Sequence, residues 1–154
     1  MKPIRIFLLL LLTLFISCNG KNEPTLNTGV NALSKNINLA VKPVAARWTF
    51  SSTAGGLGPT DYTIVAVLKY NHADWLSLYN KHKALEPADA NYSSKEILRN
   101  WYPDSVKACF KDNGGYLYIS RKAYTVDAFA KNSFIHGFCF LTDNDEVFLY
   151  TYTM

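Results

Sequence analysis

The sequence predicts an α+β fold, a single small domain in which helices pack mainly on one face of an antiparallel sheet. Segments rich in β-branched and aromatic residues occur towards both ends of residues 46–154, and segments with helical apolar spacing lie between them. Short turn-forming segments separate neighbouring strands, which favours antiparallel pairing. Residues 46–154 also have the length of one domain and contain every tryptophan of the chain.

The first two predicted strands are residues 48–52 and 62–70. The second, YTIVAVLKY, is apolar on both of its alternating faces, which is typical of a buried strand. The segment AGGLGPTD between them is rich in glycine and predicts a loop that joins neighbouring strands.

Two helical segments are predicted next. Asn71 is an expected N-cap with Asp74 in the first turn, and apolar residues at spacings of three and four continue this helix to about Leu85. Ser93 and Glu96 match a capping box, which predicts a second helix. A proline interrupts that helix, and the following residues resume it until a glycine-rich turn ends it.

The remaining segments are predicted to be mostly strand. Residues 116–121 alternate between polar and apolar, whereas residues 125–131 are consistent with one helical turn. Residues 133–142 and 146–153 are separated by the turn-forming segment DNDE, so we expect them to form a hairpin.

The beginning of the chain combines positive charge with a short apolar run. Lys2 and Arg5 accompany residues 6–16, in which only a threonine is not strongly apolar. A membrane-spanning helix needs roughly 20 apolar residues, so this shorter run is typical of an export signal. Residues 15–18, Phe-Ile-Ser-Cys, resemble the lipobox of bacterial lipoproteins, in which a hydrophobic, a variable and a small residue precede a cysteine. Phe15 departs from the leucine commonest there.

This resemblance implies that residues 1–17 are a lipoprotein signal peptide and that Cys18 is lipidated and becomes the new N-terminus. Two or more acyl chains anchor a protein stably, at about 0.8 kcal/mol per buried methylene. Asn19, rather than aspartate, follows the cysteine, and by the sorting rule of enteric bacteria this implies the outer membrane. We therefore expect a cell-envelope lipoprotein of a Gram-negative-type bacterium, attached to the membrane through its N-terminal lipid.

Residues 18–45 are predicted to be a lipid-anchored flexible tether, which places the globular domain at residues 46–154. The tether segment is rich in polar residues and sparse in apolar ones, so it lacks the buried surface that offsets chain entropy. A flexible segment of this length spans roughly 30 Å. The weak apolar spacing of residues 30–44 leaves a short docked helix as an alternative.

The charge of the chain excludes an obvious nucleic-acid partner. The formal net charge is +4, and removal of the signal peptide with Lys2 and Arg5 lowers it to +2. This charge is small and scattered, whereas nucleic-acid binding normally needs a basic stripe.

Two cysteines, Cys109 and Cys139, remain in the predicted domain. In an oxidising compartment a pair of cysteines is consistent with a disulfide, which would close a loop of about 30 residues and contribute roughly 3 to 4 kcal/mol. Two buried free thiols are the alternative, because cysteine is common in apolar surroundings.

No catalytic residue, metal site or cofactor is predicted. The spacing of His72, His82 and His136 matches no metal motif. Cys109 and His136 would be the nucleophile and base of a thiol hydrolase, but Cys109 lies among apolar residues and is not in the electropositive surroundings that activate a thiol. The glycine-rich loop leads into a strand and not into the helix that a phosphate loop requires.

The predicted binding surface contains Phe148, Tyr150 and Tyr152, which share one face of the last strand. Aromatic rings suit saccharide stacking or protein contact, although the same row is also consistent with the core side of the strand. Glycines of the loop after the first strand offer a mobile edge that could close over a ligand. They are Gly55, Gly56 and Gly58.

The function expected from these features is a non-catalytic binding or interaction module with a protein or glycan partner. The first alternative is an inhibitor or immunity-like protein of a secreted enzyme. The second alternative is a small envelope hydrolase.

Overall fold

A computed structural model describes residues 24–53, 60–85, 87–88 and 92–154, which form one small domain. The chain runs through β1 (Leu26–Asn27), α1 (Val30–Leu33), β2 (Ala45–Thr53), β3 (Asp61–Lys69), α2 (His72–Lys83), β4 (Tyr92–Ser94), α3 (Asp104–Lys107), β5 (Phe110–Asn113), β6 (Tyr116–Ile119), β7 (Tyr124–Thr125), β8 (His136–Leu141) and β9 (Glu146–Tyr152). Two 3₁₀ turns lie at Lys95–Ile97 and Asp127–Phe129.

The strands form a large and a small sheet. The six-stranded sheet has the order β1-β2-β3-β9-β8-β7, and the three-stranded sheet has the order β4-β6-β5. The strands pair antiparallel in both sheets. The predicted hairpin is confirmed, since β8 pairs with β9 from His136 opposite Tyr152 to Leu141 opposite Val147.

The large sheet has a hydrophobic core on each face. Core one lies on the face of Ile64, Leu68 and Leu149, and α1 and α2 pack against it. Core two lies on the opposite face, where Val67 and Phe148 pack against the small sheet and α3. The central strands are therefore buried on both sides, which explains the unbroken apolar run that predicts β3.

The predicted single domain and mostly antiparallel sheet are confirmed, but the chain is richer in sheet than predicted. Helices α1 and α2 pack on one face of the large sheet, but the small sheet, together with α3, covers much of the second face. The start of the predicted second helix is instead β4, in which Ser93 pairs with Leu117 and Ser94 with Tyr116, and a 3₁₀ turn follows at Lys95–Ile97. Helical structure does resume after the proline, in α3. Long-range pairing with β6 therefore outweighs the local capping signal at the start of the segment.

The folded domain begins earlier than predicted, so the tether of residues 18–45 is wrong for the segment that starts at β1. Leu26 pairs with Thr49 of β2, and Leu33 and Ile37 are fully buried in core one. The backbone N–H of Asn38 donates to the carbonyl of Phe129 at 2.9 Å. Each fully buried Leu or Ile contributes roughly 1.5–3 kcal/mol, which offsets the entropy of ordering the segment. The short docked helix left as an alternative corresponds to α1.

Helix α2 begins as predicted. The side chain of Asn71 accepts a hydrogen bond from the backbone N–H of Asp74 at 2.9 Å, and Trp75, Leu78 and His82 face core one. No helix in the part of the chain that the structure describes is long and apolar enough to cross a membrane.

Cys109 and Cys139 are free buried thiols, so the disulfide alternative does not hold. Cys139 belongs to core one and Cys109 to core two, which places the large sheet between them. Their sulfur atoms contact backbone carbonyls instead, that of Ser105 at 3.2 Å from Cys109 and that of Thr125 at 3.6 Å from Cys139.

Candidate functional site

The second face of the large sheet is covered at one end and more open at the other. Strand register places Val67, Phe148 and Phe140 in one cross-strand row, which is buried in core two. Two rows further along the strands, Thr63, Tyr152 and His136 form the last complete row. Ser51 of β2 lies opposite Thr63 and extends this row across the sheet. Hydroxyl and ring side chains thus occupy the open end.

A continuous line of rings connects this open end to core two. Adjacent ring centroids are 5.6 Å apart between Phe138 and Tyr150, and again between Tyr150 and Tyr152. The ring of His136 stacks on Tyr152 at the same distance, with the two planes 30° apart. Because Phe138 is buried and the other three rings are partly exposed, the rings beside the solvent are held in place by the core.

A groove of about 260 Å³ lies where the open end of the sheet meets the segment around β4. The sheet contributes Ser51, Thr63, Val65 and Tyr150 to its lining, and the opposite side contributes Ser93, Ser94, Ile97 and Arg99. The lining combines several hydroxyl groups with one aromatic ring and one guanidinium group. Such a set binds a polar ligand through hydrogen bonds and ring contact, and it offers no acid and base pair for catalysis.

The predicted binding surface is partly wrong. Phe148 is fully buried in core two, with its ring centroid 4.8 Å from that of Phe140 and 5.3 Å from that of Phe110. It is not available to a ligand because the small sheet covers that part of the face. Tyr150 lines the groove, and Tyr152 lies beside it in the next row.

The three glycines of the predicted surface, Gly55, Gly56 and Gly58, lie outside the described residues. The loop that contains them joins β2 to β3, whose ends pair through Thr53 and Asp61. That pairing lies two residues beyond the pairing of Ser51 with Thr63, both of which line the groove.

The geometry gives the thiol hydrolase alternative no support. Cys109 is buried beside Arg121, and Arg121 pairs with Asp143, which follows the C-terminal end of β8. His136 lies at the opposite end of that strand. Burial raises the pKa of the Cys109 thiol despite the opposing effect of Arg121, so the thiol stays protonated near neutral pH. Among the described residues no group of three His, Cys, Asp or Glu side chains is placed to hold a metal ion.

Sequence reasoning missed most of the groove, including Ser51, Thr63, Ser94 and Arg99. These residues carry no motif, and strand pairing brings them together from segments far apart in the chain. The alternation of β9 was the only local signal for the site, and it correctly placed Tyr150 and Tyr152 on one face. No protein-family model, curated protein or solved structure matches this chain.

Proposed function

We propose that this protein is a lipid-anchored lipoprotein of the cell envelope whose folded domain is a non-catalytic binding module for a saccharide. Lipid on Cys18 would hold the domain at the outer membrane, and the groove would hold one sugar unit of a glycan. The observation that carries the proposal is the row of hydroxyl and ring side chains at the open end of the second face. Rings pack against the apolar faces of sugars, while hydroxyl groups exchange hydrogen bonds with sugar hydroxyls.

The dimensions of the groove favour a sugar over a folded protein as the ligand. The groove volume of about 260 Å³ is slightly below the roughly 300–1,000 Å³ of pockets for drug-sized ligands, so the groove would hold one small unit such as a single sugar. A stable protein interface normally buries roughly 800 Å² on each partner, which is far more than the groove can supply. Hydroxyl groups also outnumber charged groups in the lining, as expected for a neutral polyhydroxyl ligand.

The experiment is a glycan array probed with the purified protein, followed by calorimetry on the best saccharide. Tyr152→Ala removes a partly exposed ring beside the groove, and we expect it to lower the affinity about three- to tenfold because one ring contact contributes roughly 0.5–1.5 kcal/mol. Tyr62→Ala is the matched control. Tyr62 is 40% exposed and lies on the opposite face of the large sheet from Thr63, so its removal should change the affinity less than about twofold.

Two outcomes would contradict the saccharide proposal. The first is an array on which no saccharide binds, and the second is equal loss of binding in the Tyr152 and Tyr62 variants. If no saccharide binds and a protein partner co-purifies in equal amounts, the inhibitor or immunity-like alternative is favoured instead.

The anchor is tested separately by substitution of Cys18. In the source bacterium, metabolic labelling with radioactive palmitate should mark the unaltered protein and fail to mark Cys18→Ser. The same substitution should move the protein out of the membrane fraction. Equal palmitate labelling of both proteins would contradict lipidation at this residue.

A further inference from the structure

A second cavity, of about 380 Å³, lies on the opposite side of the large sheet from the groove. It opens between the C-terminal half of α2, the 3₁₀ turn at Asp127–Phe129 and the segment before β2. Its inner lining is formed by Tyr70, Leu78, His82 and Phe129, all of which are buried. This volume lies within the range of pockets that enclose small molecules.

Two buried polar atoms distinguish this cavity from an ordinary packing gap. The Tyr70 hydroxyl and the His82 Nε2 have no hydrogen-bond partner among the described residues, although each residue is only 1% exposed. Each buried polar atom without a partner destabilises the folded state by roughly 1–3 kcal/mol. Two such atoms in residues that line one cavity are unusual in a small domain. A ligand that bonds to either atom would recover part of that free energy.

The hydrogen-bonding character of both atoms follows from their surroundings. His82 Nδ1 lies 2.8 Å from the carbonyl oxygen of Leu78, which can only accept, so Nδ1 carries the proton. In the neutral ring Nε2 is then an acceptor. Burial raises the pKa of Tyr70 well above its ordinary value, so its hydroxyl keeps its proton and remains a donor. A hydroxyl group on a ligand can donate to Nε2 or accept from Tyr70.

We propose that this cavity binds a small, uncharged and predominantly apolar molecule that carries one hydroxyl group. The inner lining offers aliphatic and aromatic contact, which favours an apolar body. Lys81 and Asp127, both exposed, contribute charges of opposite sign at the mouth and leave no net charge to select an ion. Tyr70 and His82 both line the cavity while their polar atoms are buried, so a ligand hydroxyl would reach these atoms once the side chains shift towards the cavity. This site is separate from the saccharide groove and does not depend on it.

The test compares 4-ethylphenol with its methyl ether, 4-ethylanisole, which has the same apolar body but no donor. Both are titrated into the isotope-labelled full-length chain, and amide chemical shifts near Leu78 and Ala128 report on the cavity. We expect both probes to shift these signals, with the phenol binding at least fivefold more tightly than the ether. In Tyr70→Phe the affinity of both probes should fall about three- to tenfold, because each carries an oxygen that can accept from the Tyr70 hydroxyl, while the preference for the phenol, which alone can donate to His82 Nε2, should persist.

Two further variants keep the result interpretable. Ala40→Trp places a large ring at the exposed rim of the cavity and should weaken both probes at least tenfold without disturbing the core. Tyr102→Phe makes the same chemical change as Tyr70→Phe in core two and should alter neither affinity. The proposal is overturned if neither probe shifts the cavity signals. Equal affinities for phenol and ether that Tyr70→Phe leaves unchanged would also overturn it.

Discussion

Two buried tyrosines provide a matched test of whether Tyr70, which lines the cavity beside α2, has an unpartnered hydroxyl group. Tyr70 is 1% exposed and its hydroxyl has no partner among the described residues, whereas Tyr102 is 2% exposed and its hydroxyl donates to the carbonyl of Ile97. Replacing either residue by phenylalanine removes one oxygen and keeps the ring. The same substitution should therefore have opposite effects on stability at the two positions.

The expected magnitudes follow from the cost of a buried hydroxyl. Tyr70→Phe deletes a polar group that gains nothing in the folded state, so the free energy of unfolding should rise by about 1 kcal/mol. Tyr102→Phe removes a hydrogen bond and leaves the Ile97 carbonyl without that donor, so the free energy of unfolding should fall by about 1–2 kcal/mol. The two variants should differ by roughly 2–3 kcal/mol, or about 6–12 °C in Tm for a domain of this size.

Urea unfolding followed by tryptophan fluorescence measures this difference, with circular dichroism melts as an independent check. The m-values of the two variants should agree, because both bury nearly the same surface. If Tyr70→Phe is destabilised as much as Tyr102→Phe, the Tyr70 hydroxyl has a partner in solution and the reasoning is refuted. A stabilised Tyr70→Phe that also binds 4-ethylphenol weakly would mean that the chain retains this hydroxyl at a cost in stability for the sake of binding.

Three further predictions test separate parts of the fold. Leu33→Ala should lower the free energy of unfolding by about 2–4 kcal/mol if the segment from β1 to β2 belongs to the core, whereas a flexible tether would leave urea unfolding unchanged. Gly137→Ala should unfold the protein or cost several kcal/mol, because its Cβ would lie 2.0 Å from the Tyr150 carbonyl oxygen, and Gly114→Ala, with φ +62° but no close contact, should cost only about 1 kcal/mol by the same assay. Burial raises the pKa of Cys139 from 9.0 to about 12, so its thiol ionises more readily in the unfolded chain and stability should fall as the pH rises from 9 to 12. This fall should be smaller in Cys139→Ala, and identical pH profiles of the free energy of unfolding would contradict the assignment.

The parts of the fold that depend on local pattern were predictable from the sequence. The strand β3, the hairpin of β8 and β9 and the start of α2 each have their signal within a few neighbouring residues, in apolar alternation, a turn segment or a cap. The alternation of β9 also placed Tyr150 and Tyr152 correctly on one face.

The missed features depend on partners that are distant in the chain. The serines of β4 carry a helical capping signal, and only pairing with β6 converts the segment to strand. The alternation of β9 shows which face Phe148 is on, but not whether that face is covered. Its burial follows only from the position of the small sheet. The cavity beside α2 likewise needs Phe129 and the segment before β2 to meet the helix.

The edge position of β1 limits how far the domain can stand from a membrane. If Cys18 carries lipid, only seven residues separate it from Leu26, where the chain joins the sheet. Even fully extended, this seven-residue linker is shorter than about 30 Å, which is less than the width of the domain. The domain would therefore stay within a thin layer next to the lipid headgroups. A glycan ligand would have to be attached to the same membrane or extend to its surface.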